Sequence, residues 1–278
     1  MKRLILFLLV LVMLSTFVNS HEKDSSEVDI NKGEDSSSTL KDYTSPIIFI
    51  SILFITIFTI IALFTQNHQN HKLGLFLGIV IPIVIASVFV VYTTVYTNAI
   101  SETKGPVHWH ADFEIYNCGE FVDLIKPKGL SNRIGTPLFH EHNDNRIHVE
   151  GVVVNKKDVD MHSFFEVIGG ELTNEKFGAP TDNGYVEINN GDLCNNVQVK
   201  WQAFLFKVTN PEAEKGDWIY TQQKLYNFED YVLSPYSYIP PGDCLILEFG
   251  DEKEKTEHLC ETYEIAIRKN EFKSGVVQ

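Results

Sequence analysis

The sequence predicts a mainly β external domain, a sandwich or an open barrel with one short helix, preceded by a two-helix transmembrane hairpin. Three observations carry this prediction: two long uncharged apolar runs before residue 99, many short alternating runs separated by turn residues after it, and four cysteines confined to the second part. The 278 residues include 37 acidic and 23 basic side chains, giving a net charge of −14. This excess of acid argues against nucleic acid as a partner, because a phosphate backbone requires a basic surface.

Residues 1–20 have the pattern of a secretory signal. Lys2 and Arg3 precede an apolar stretch, and Ser20 fits a cleavage position. Cleavage and retention as a signal anchor are the two alternatives. Residues 21–45 carry seven acids, three lysines and few apolar side chains. We expect them to form a disordered external segment, because such a composition buries too little apolar surface to offset the entropy of ordering.

Residues 46–65 and 73–98 are the predicted transmembrane helices. At 1.5 Å per residue each is long enough to cross a hydrocarbon core of about 30 Å. The polar residues 66–72 between them predict a cytoplasmic turn, and Gly74 and Gly78, four apart, predict a close approach of the two helices. Counting crossings from either form of the N-terminus places residues 105–272 outside the cytoplasm. The predicted location is therefore the cell membrane, with the C-terminal domain outside.

The cysteines predict two disulfides in an oxidising compartment. Cys118, Cys194, Cys244 and Cys260 allow three pairings. We favour Cys118–Cys194 with Cys244–Cys260, because the second pair can join neighbouring strands. No C-x-x-C motif is present in the sequence, so structural disulfides are favoured over a thiol oxidoreductase.

Alternation of apolar and polar residues predicts the strands of the external domain. A short helix is predicted over 159–168, capped by Asp158 or Asp160 and ended by Gly169-Gly170. Residues 273–278 are predicted to be a tail. The predicted strands are 108–116, 146–154, 185–188, 197–208, 218–226, 244–249 and 262–267.

Six of the ten histidines lie between positions 108 and 162. Because side chains alternate along a strand, His108, His110, Asp112 and Glu114 share one face of the first predicted strand. The opposite face carries Trp109, Ala111, Phe113 and Ile115, and is the predicted core face.

A second group of histidines lies on a predicted hairpin, in which the turn residues 143–145 separate His140 and His142 from His148 and Glu150. A two-residue loop would turn His148 away from the other two histidines. We therefore expect a three-residue loop over 144–146, which pairs His142 with His148 and His140 with Glu150.

Clustered imidazoles indicate a transition-metal site, because neutral imidazole suits Zn, Cu and Fe ions alike. The predicted ligands are His108, His110, His140, His142, His148 and Glu150. The residues that could orient these ligands by hydrogen bonds, without binding the metal themselves, are Asp112, Glu114 and His162. His162 also fits an ordinary residue on a helix surface. The alternative is a hydrated polar face whose histidines bond to carboxylates and backbone, and this alternative would suffice for a single H-x-H pair.

The motifs HWHADFEIYNCGE (108–120) and HEHNDNRIHVEG (140–151) resemble those of a set of uncharacterised prokaryotic membrane-anchored extracytoplasmic β domains. The resemblance covers about 60 residues, judged by motif spacing alone. It implies an external β domain with clustered histidines, carries the same six ligand positions, and implies no particular reaction.

The leading interpretation is a membrane-anchored extracytoplasmic metal-binding module, with the membrane and a metal ion as its partners and no protein partner indicated. One alternative is a metal-dependent hydrolase or oxidoreductase, with Asp112, Glu114 or Glu141 as the base. Another is a disulfide-stapled interaction ectodomain without metal.

Overall fold

The structure is a computed structural model that describes residues 36–65, 71–128, 130 and 132–277. The chain forms two compact units, residues 1–100 and 101–278. Two long apolar helices make up the described part of the first unit, and the second is mostly strand, which confirms the predicted fold class. The predicted signal, and the part of the predicted disordered segment before residue 36, lie outside the described residues.

The first unit consists of α1 (Ser36–Phe64) and α2 (Lys72–Ile100). Tyr43–Phe64 and Lys72–Ile100 are long and apolar enough to cross a membrane. The prediction of disorder is wrong for residues 36–45, which are helical. Extending an existing helix costs much less than nucleating one, so the apolar span propagates its helix backwards through this polar segment. Most of the predicted turn lies outside the described residues.

Only one of the two glycines predicted to allow close helix packing lies at a contact. A Cβ atom added to Gly78 would come within 2.4 Å of the Phe58 ring, whereas one added to Gly74 would meet nothing within 4 Å. Gly78 therefore seats an aromatic ring from α1, and Gly74 faces open space.

Replacing Gly78 with leucine is expected to loosen the helix pair, because overpacking a filled contact costs about 1–3 kcal/mol. Gly74→Leu is the matched control and should leave the pair intact. The measurement is disulfide cross-linking between single cysteines placed in α1 and α2 of the full chain in detergent. Equal cross-linking in the two variants would contradict the assigned contact.

The second unit is built on an open mixed sheet with the strand order β14-β12-β11-β13-β1-β5-β4-β3, and β2 pairs with β1. Separate small sheets are formed by β6-β7-β8 and by β9-β10. The strands are β1 (Pro106–Asn117), β2 (Glu120–Phe121), β3 (Ile134–Gly135), β4 (Phe139–Glu141), β5 (Arg146–Val152), β6 (Glu171–Leu172), β7 (Lys176–Thr181), β8 (Gly184–Asn189), β9 (Leu193–Cys194), β10 (Val197–Gln198), β11 (Lys200–Val208), β12 (Trp218–Leu225), β13 (Asp243–Gly250) and β14 (Phe272–Val277).

One face of the large sheet packs against α3 (Met161–Val167), which Asp160 caps by accepting a hydrogen bond from the Ser163 amide. Phe164 and Phe165 of this helix are fully buried and make edge-to-face contacts with Phe113 of β1. The predicted helix, its Asp160 cap and the predicted core face of β1 are thus confirmed. This packing fixes β1 with its even-numbered side chains on the opposite face.

The opposite face is partly covered by α4 (Glu261–Arg268). Tyr263 and Ala266 of α4 are buried against side chains of β11 and β13, including Phe204 and Ile246. The strand predicted over 262–267 is therefore wrong. A run this short fits the apolar spacing of a helix as well as that of a strand. Two acidic residues in the first turn and Arg268 in the last turn favour a helix, because they complement its dipole.

The predicted tail 273–278 is also wrong, because β14 pairs in parallel with β12 at the edge of the large sheet. Phe272 anchors this strand by packing against Tyr220 and Tyr263. The last residues are too few to show a clear alternation of apolar and polar side chains, so the strand was not predicted. The apolar contacts of Phe272 stabilise it nevertheless.

The two favoured disulfides are present, Cys118–Cys194 and Cys244–Cys260. The first joins the end of β1 to β9, and Cys118 is exposed. The second joins β13 to the start of α4, and its two cysteines are 0% and 1% exposed. The second disulfide holds α4 against the sheet and is itself part of the core.

Brief treatment with a mild reductant is expected to open Cys118–Cys194 first, because thiol exchange requires access to a sulfur atom. Alkylation followed by peptide mass analysis should label Cys118 and Cys194 before Cys244 and Cys260. Labelling of all four cysteines at the same rate in the folded protein would contradict the assigned burial.

Candidate metal centre

The polar face of β1, β5 and β4 brings the predicted histidines together. β1 pairs with β5 in antiparallel register, placing His108 opposite Glu150 and His110 opposite His148. β5 pairs with β4 so that His148 also lies opposite His140. His148 is therefore the middle side chain of a row that crosses three strands, and His142 follows at the end of β4.

The hairpin register differs from the prediction by two residues. His140, not His142, is opposite His148, and residues 143–145 form the loop. Asn143 and Asn145 adopt φ values of 66° and 54°, and the Glu141 carboxylate accepts hydrogen bonds from the Asp144 and Asn145 amides. This turn chemistry fixes the loop one residue earlier. A register shift of two residues does not move a side chain to the other face of the sheet. The four side chains predicted to share a face of this hairpin therefore still share it: His140, His142, His148 and Glu150.

Two groups of potential ligand atoms result, and in each the atoms lie within 4.8 Å of one another. The first group contains His108, His110, His148 and Glu150, and the second contains His140, His142 and His148. His148 belongs to both. In the first group the His108 Nε2 and Glu150 Oε1 atoms are 3.1 Å apart.

Three imidazole nitrogens in this cluster are buried and have no hydrogen-bond partner: His110 Nε2, His140 Nδ1 and His148 Nδ1. The opposite nitrogen of His110, Nδ1, donates to the Ser237 carbonyl at 2.6 Å. That bond fixes the Nδ1–H tautomer and leaves a lone pair on Nε2. The His142 Nδ1 atom likewise donates to the Asn132 carbonyl, which leaves its Nε2 as an acceptor.

Burial and the neighbouring imidazoles keep two of these rings neutral. Desolvation and the proximity of His148 lower the pKa of His110 to about 4. Desolvation, His148 and His142 lower the pKa of His140 to about 4. Neutral imidazole is the form that binds metal, so both rings are in the ligand form at neutral pH.

A buried ion pair borders the cluster on the side of α4. Arg146 Nε donates to Asp112 Oδ1 at 2.7 Å, and the Thr262 hydroxyl of α4 donates to Asp112 Oδ2 at 2.5 Å. The Asp112 side chain is only 8% exposed. Asp112 therefore ties β1 to β5 and α4, and both of its oxygens are occupied by these bonds.

The structure separates the other predicted residues from the cluster. Glu114 accepts a hydrogen bond from the Tyr116 hydroxyl at 2.7 Å, farther along β1. The Glu141 side chain caps the hairpin loop and, because side chains alternate along β4, lies on the face opposite His140. His162 bonds to the Leu172 carbonyl beside α3, so it does not join the ligands. His258 also lies apart from the cluster and stacks on Tyr116.

Two parts of the site were missed by sequence reasoning. Residues Tyr236 and Ser237 of the loop before β13 run beside β1, where the Tyr236 carbonyl accepts from the His110 amide and the Ser237 carbonyl orients the His110 ring. Asp144 places Oδ2 at 3.3 Å from His148 Nε2. The contact between Asp144 and His148 could have been found from the sequence, because the two residues are four apart across a predicted turn. The contact between His110 and Ser237 joins residues 127 apart, and no local pattern indicates it.

No family model, curated protein or solved structure matches the chain. The resemblance to extracytoplasmic β domains accordingly stays a prediction, and the candidate function depends on the geometry of this chain.

Replacing Arg146 with methionine is expected to destabilise the second unit by about 2–3 kcal/mol, because it leaves the buried Asp112 carboxylate without its cation. For a unit of this size the unfolding midpoint should fall by roughly 5–10 °C. Thermal unfolding of the full chain in detergent, followed by near-ultraviolet circular dichroism, gives the measurement.

Two controls accompany this variant. Arg268→Met removes an exposed pair with Glu264 and should cost less than about 1 kcal/mol. Adding Asp112→Asn to Arg146→Met should restore part of the loss, since the unpaired charge is then removed. Equal effects of Arg146→Met and Arg268→Met would refute the buried-pair assignment.

Proposed function

We propose that this protein is a membrane-anchored, extracytoplasmic transition-metal-binding module. The observation that carries the proposal is the set of three buried, unpartnered imidazole nitrogens on three adjacent strands. Leaving a buried polar atom unsatisfied costs about 1–3 kcal/mol, so a protein that places three together has a ligand for them in its working state. Bound metal ions would satisfy such lone pairs, because each of the three nitrogens belongs to a residue in a group of potential ligands.

The donor set indicates the class of metal. Imidazole nitrogens with a carboxylate suit Zn²⁺, Cu²⁺ and Fe²⁺, whereas Mg²⁺ and Ca²⁺ prefer oxygen alone. All four cysteines are in disulfides, so no thiolate enters the set. We take Zn²⁺ and Cu²⁺ as the ions to test first.

Solvent access favours exchangeable binding over a closed structural site. The side chains of His108 and Glu150 are 57% and 43% exposed, so the first group opens to water on one side. The carboxylates considered as bases are already bonded, Asp112 to Arg146, Glu114 to Tyr116 and Glu141 to the hairpin loop. This arrangement supports metal capture, delivery or sensing ahead of catalysis.

The membrane topology completes the proposal. Two helices are long enough to span a membrane, and two disulfides lie in the unit that follows them. Disulfides persist in oxidising compartments, which supports placing the second unit outside the cytoplasm.

Zinc uptake by the full chain, purified in detergent without a polyhistidine tag, tests the proposal. After metal stripping and reloading, retained zinc measured by elemental analysis should reach at least one ion per chain. His110→Ala should weaken the affinity at least tenfold, because it removes a buried and oriented ligand. His162→Ala, which changes a histidine outside the cluster, should bind as the unchanged protein does.

A stability measurement on the same variants distinguishes the loss of a ligand from the loss of the fold. Zinc should raise the thermal midpoint of the unchanged protein and of His162→Ala, since a ligand that binds only the folded state stabilises it. Absence of both uptake and stabilisation with Zn²⁺, Cu²⁺ and Fe²⁺ in the unchanged protein would refute the proposal and favour the interaction ectodomain.

A further inference from the structure

The six predicted ligands divide around His148 in a way that a single ion does not explain. His108 and His110 lie on β1, on one side of the strand that carries His148, whereas His140 lies on β4, on its other side, and His142 follows at the end of β4. The two ring nitrogens of His148 point to different sides. Nδ1 is 3.8 Å from Glu150 Oε1, and Nε2 is 3.3 Å from Asp144 Oδ2.

We propose that the cluster is a dinuclear centre in which two transition-metal ions share His148, one at each ring nitrogen. This inference rests on the proposed function and adds that each chain binds two metal ions. The first position uses His108, His110, His148 Nδ1 and Glu150. The second uses His140, His142 and His148 Nε2.

The two positions differ in their number of protein donors. The first has two histidines of its own, one carboxylate and the shared ring, which is the four donors that a tetrahedral zinc ion takes. The second has two histidines of its own and the shared ring. Three protein donors with a fourth place left to water is the other common arrangement at zinc.

The separations between donors are those of ligands that can share an ion. In each group the potential ligand atoms lie within 4.8 Å of one another. Two atoms that each lie about 2.0–2.1 Å from a tetrahedral ion are about 3.3 Å apart. In the first position Glu150 Oε1 is 3.1 Å from His108 Nε2 and 3.8 Å from His148 Nδ1, which are distances on either side of that value.

Cross-strand packing holds the shared ring between the positions. The His110 and His142 rings meet the His148 ring at interplanar angles of 74° and 75°, with centroids 4.5 and 4.8 Å away. The buried, unpartnered His140 Nδ1 supplies an independent sign of a ligand at the second position. When the second ion binds, it replaces the proton on His148 Nε2, and that proton leaves to solvent.

The test is the metal stoichiometry of the full chain in detergent, prepared without a polyhistidine tag and equilibrated with excess zinc before removal of free metal. Two zinc ions per chain are expected. His142→Ala and His108→Ala should each retain one ion, from opposite positions, and the double variant should retain none. His162→Ala should retain two.

Copper reports the shared ligand directly. With Cu²⁺ in both positions, coupling through the His148 ring should reduce the paramagnetic resonance signal well below two spins per chain. His142→Ala should restore one full, uncoupled spin, and thermal unfolding of each variant checks its fold.

Each alternative outcome is decisive. One ion in the unchanged protein overturns the dinuclear centre and leaves the proposed function standing, while no ion overturns both. Two uncoupled copper ions, or a second zinc ion that survives in His142→Ala, refute the sharing of His148.

Discussion

The site depends on the antiparallel register between β1, β5 and β4. A strand presents alternate residues on each face, so an even register keeps every even-numbered histidine on one side and a shift by one residue would bury them in the aromatic core. The core face enforces this register. Phe113 and Ile147 are at most 1% exposed on that side, and neither position accommodates a charged or solvated ring. Apolar packing against α3 is therefore the force that assembles the polar cluster.

The large sheet is covered on both faces, and the coverage is unequal. On the second face α4 reaches Asp112 through Thr262, and the side chains before it on that face of β1 become more exposed, with His110 half-buried and His108 exposed. The Asp112–Arg146 pair marks the border between the packed part and the open part. Asp112 is buried and Arg146 is partly exposed, at 8% and 28%. Such a pair contributes little net stability, but removing the arginine leaves a buried carboxylate without its cation. Such a border is well suited to hold the strand spacing beneath a ligand cluster.

Sequence patterning predicted most of what alternation and turn chemistry determine. The even face of β1 and the helix capped by Asp160 follow from residue spacing and were predicted. The favoured disulfides are also present, but Cys260 precedes α4 and does not lie in a strand next to Cys244, so the reason for favouring this pairing was wrong. Helix α4 was not predicted, because its eight residues place apolar side chains at spacings that fit both a helix and a strand. The burial of Tyr263 against the sheet favours the helix. The hairpin register failed by two residues because the Glu141 cap on the loop amides leaves no periodic signal. The Ser237 contact with His110 depends on a chain crossing that no local pattern encodes.

The energetics of the histidine cluster argue for a bound metal more strongly than its composition does. Surface histidines ordinarily satisfy both nitrogens with water or protein, at no net cost. Here His110 and His148 each have one nitrogen held by Ser237 or Asp144, so rotating a ring to satisfy the buried nitrogen would break the bond already made. Lowering the pKa of His110 to about 4 is a consequence of the same confinement, since its charged form finds no compensation beside other imidazoles. The arrangement gives up hydrogen bonds to hold preorganised lone pairs, and such a cost is expected where a ligand relieves it.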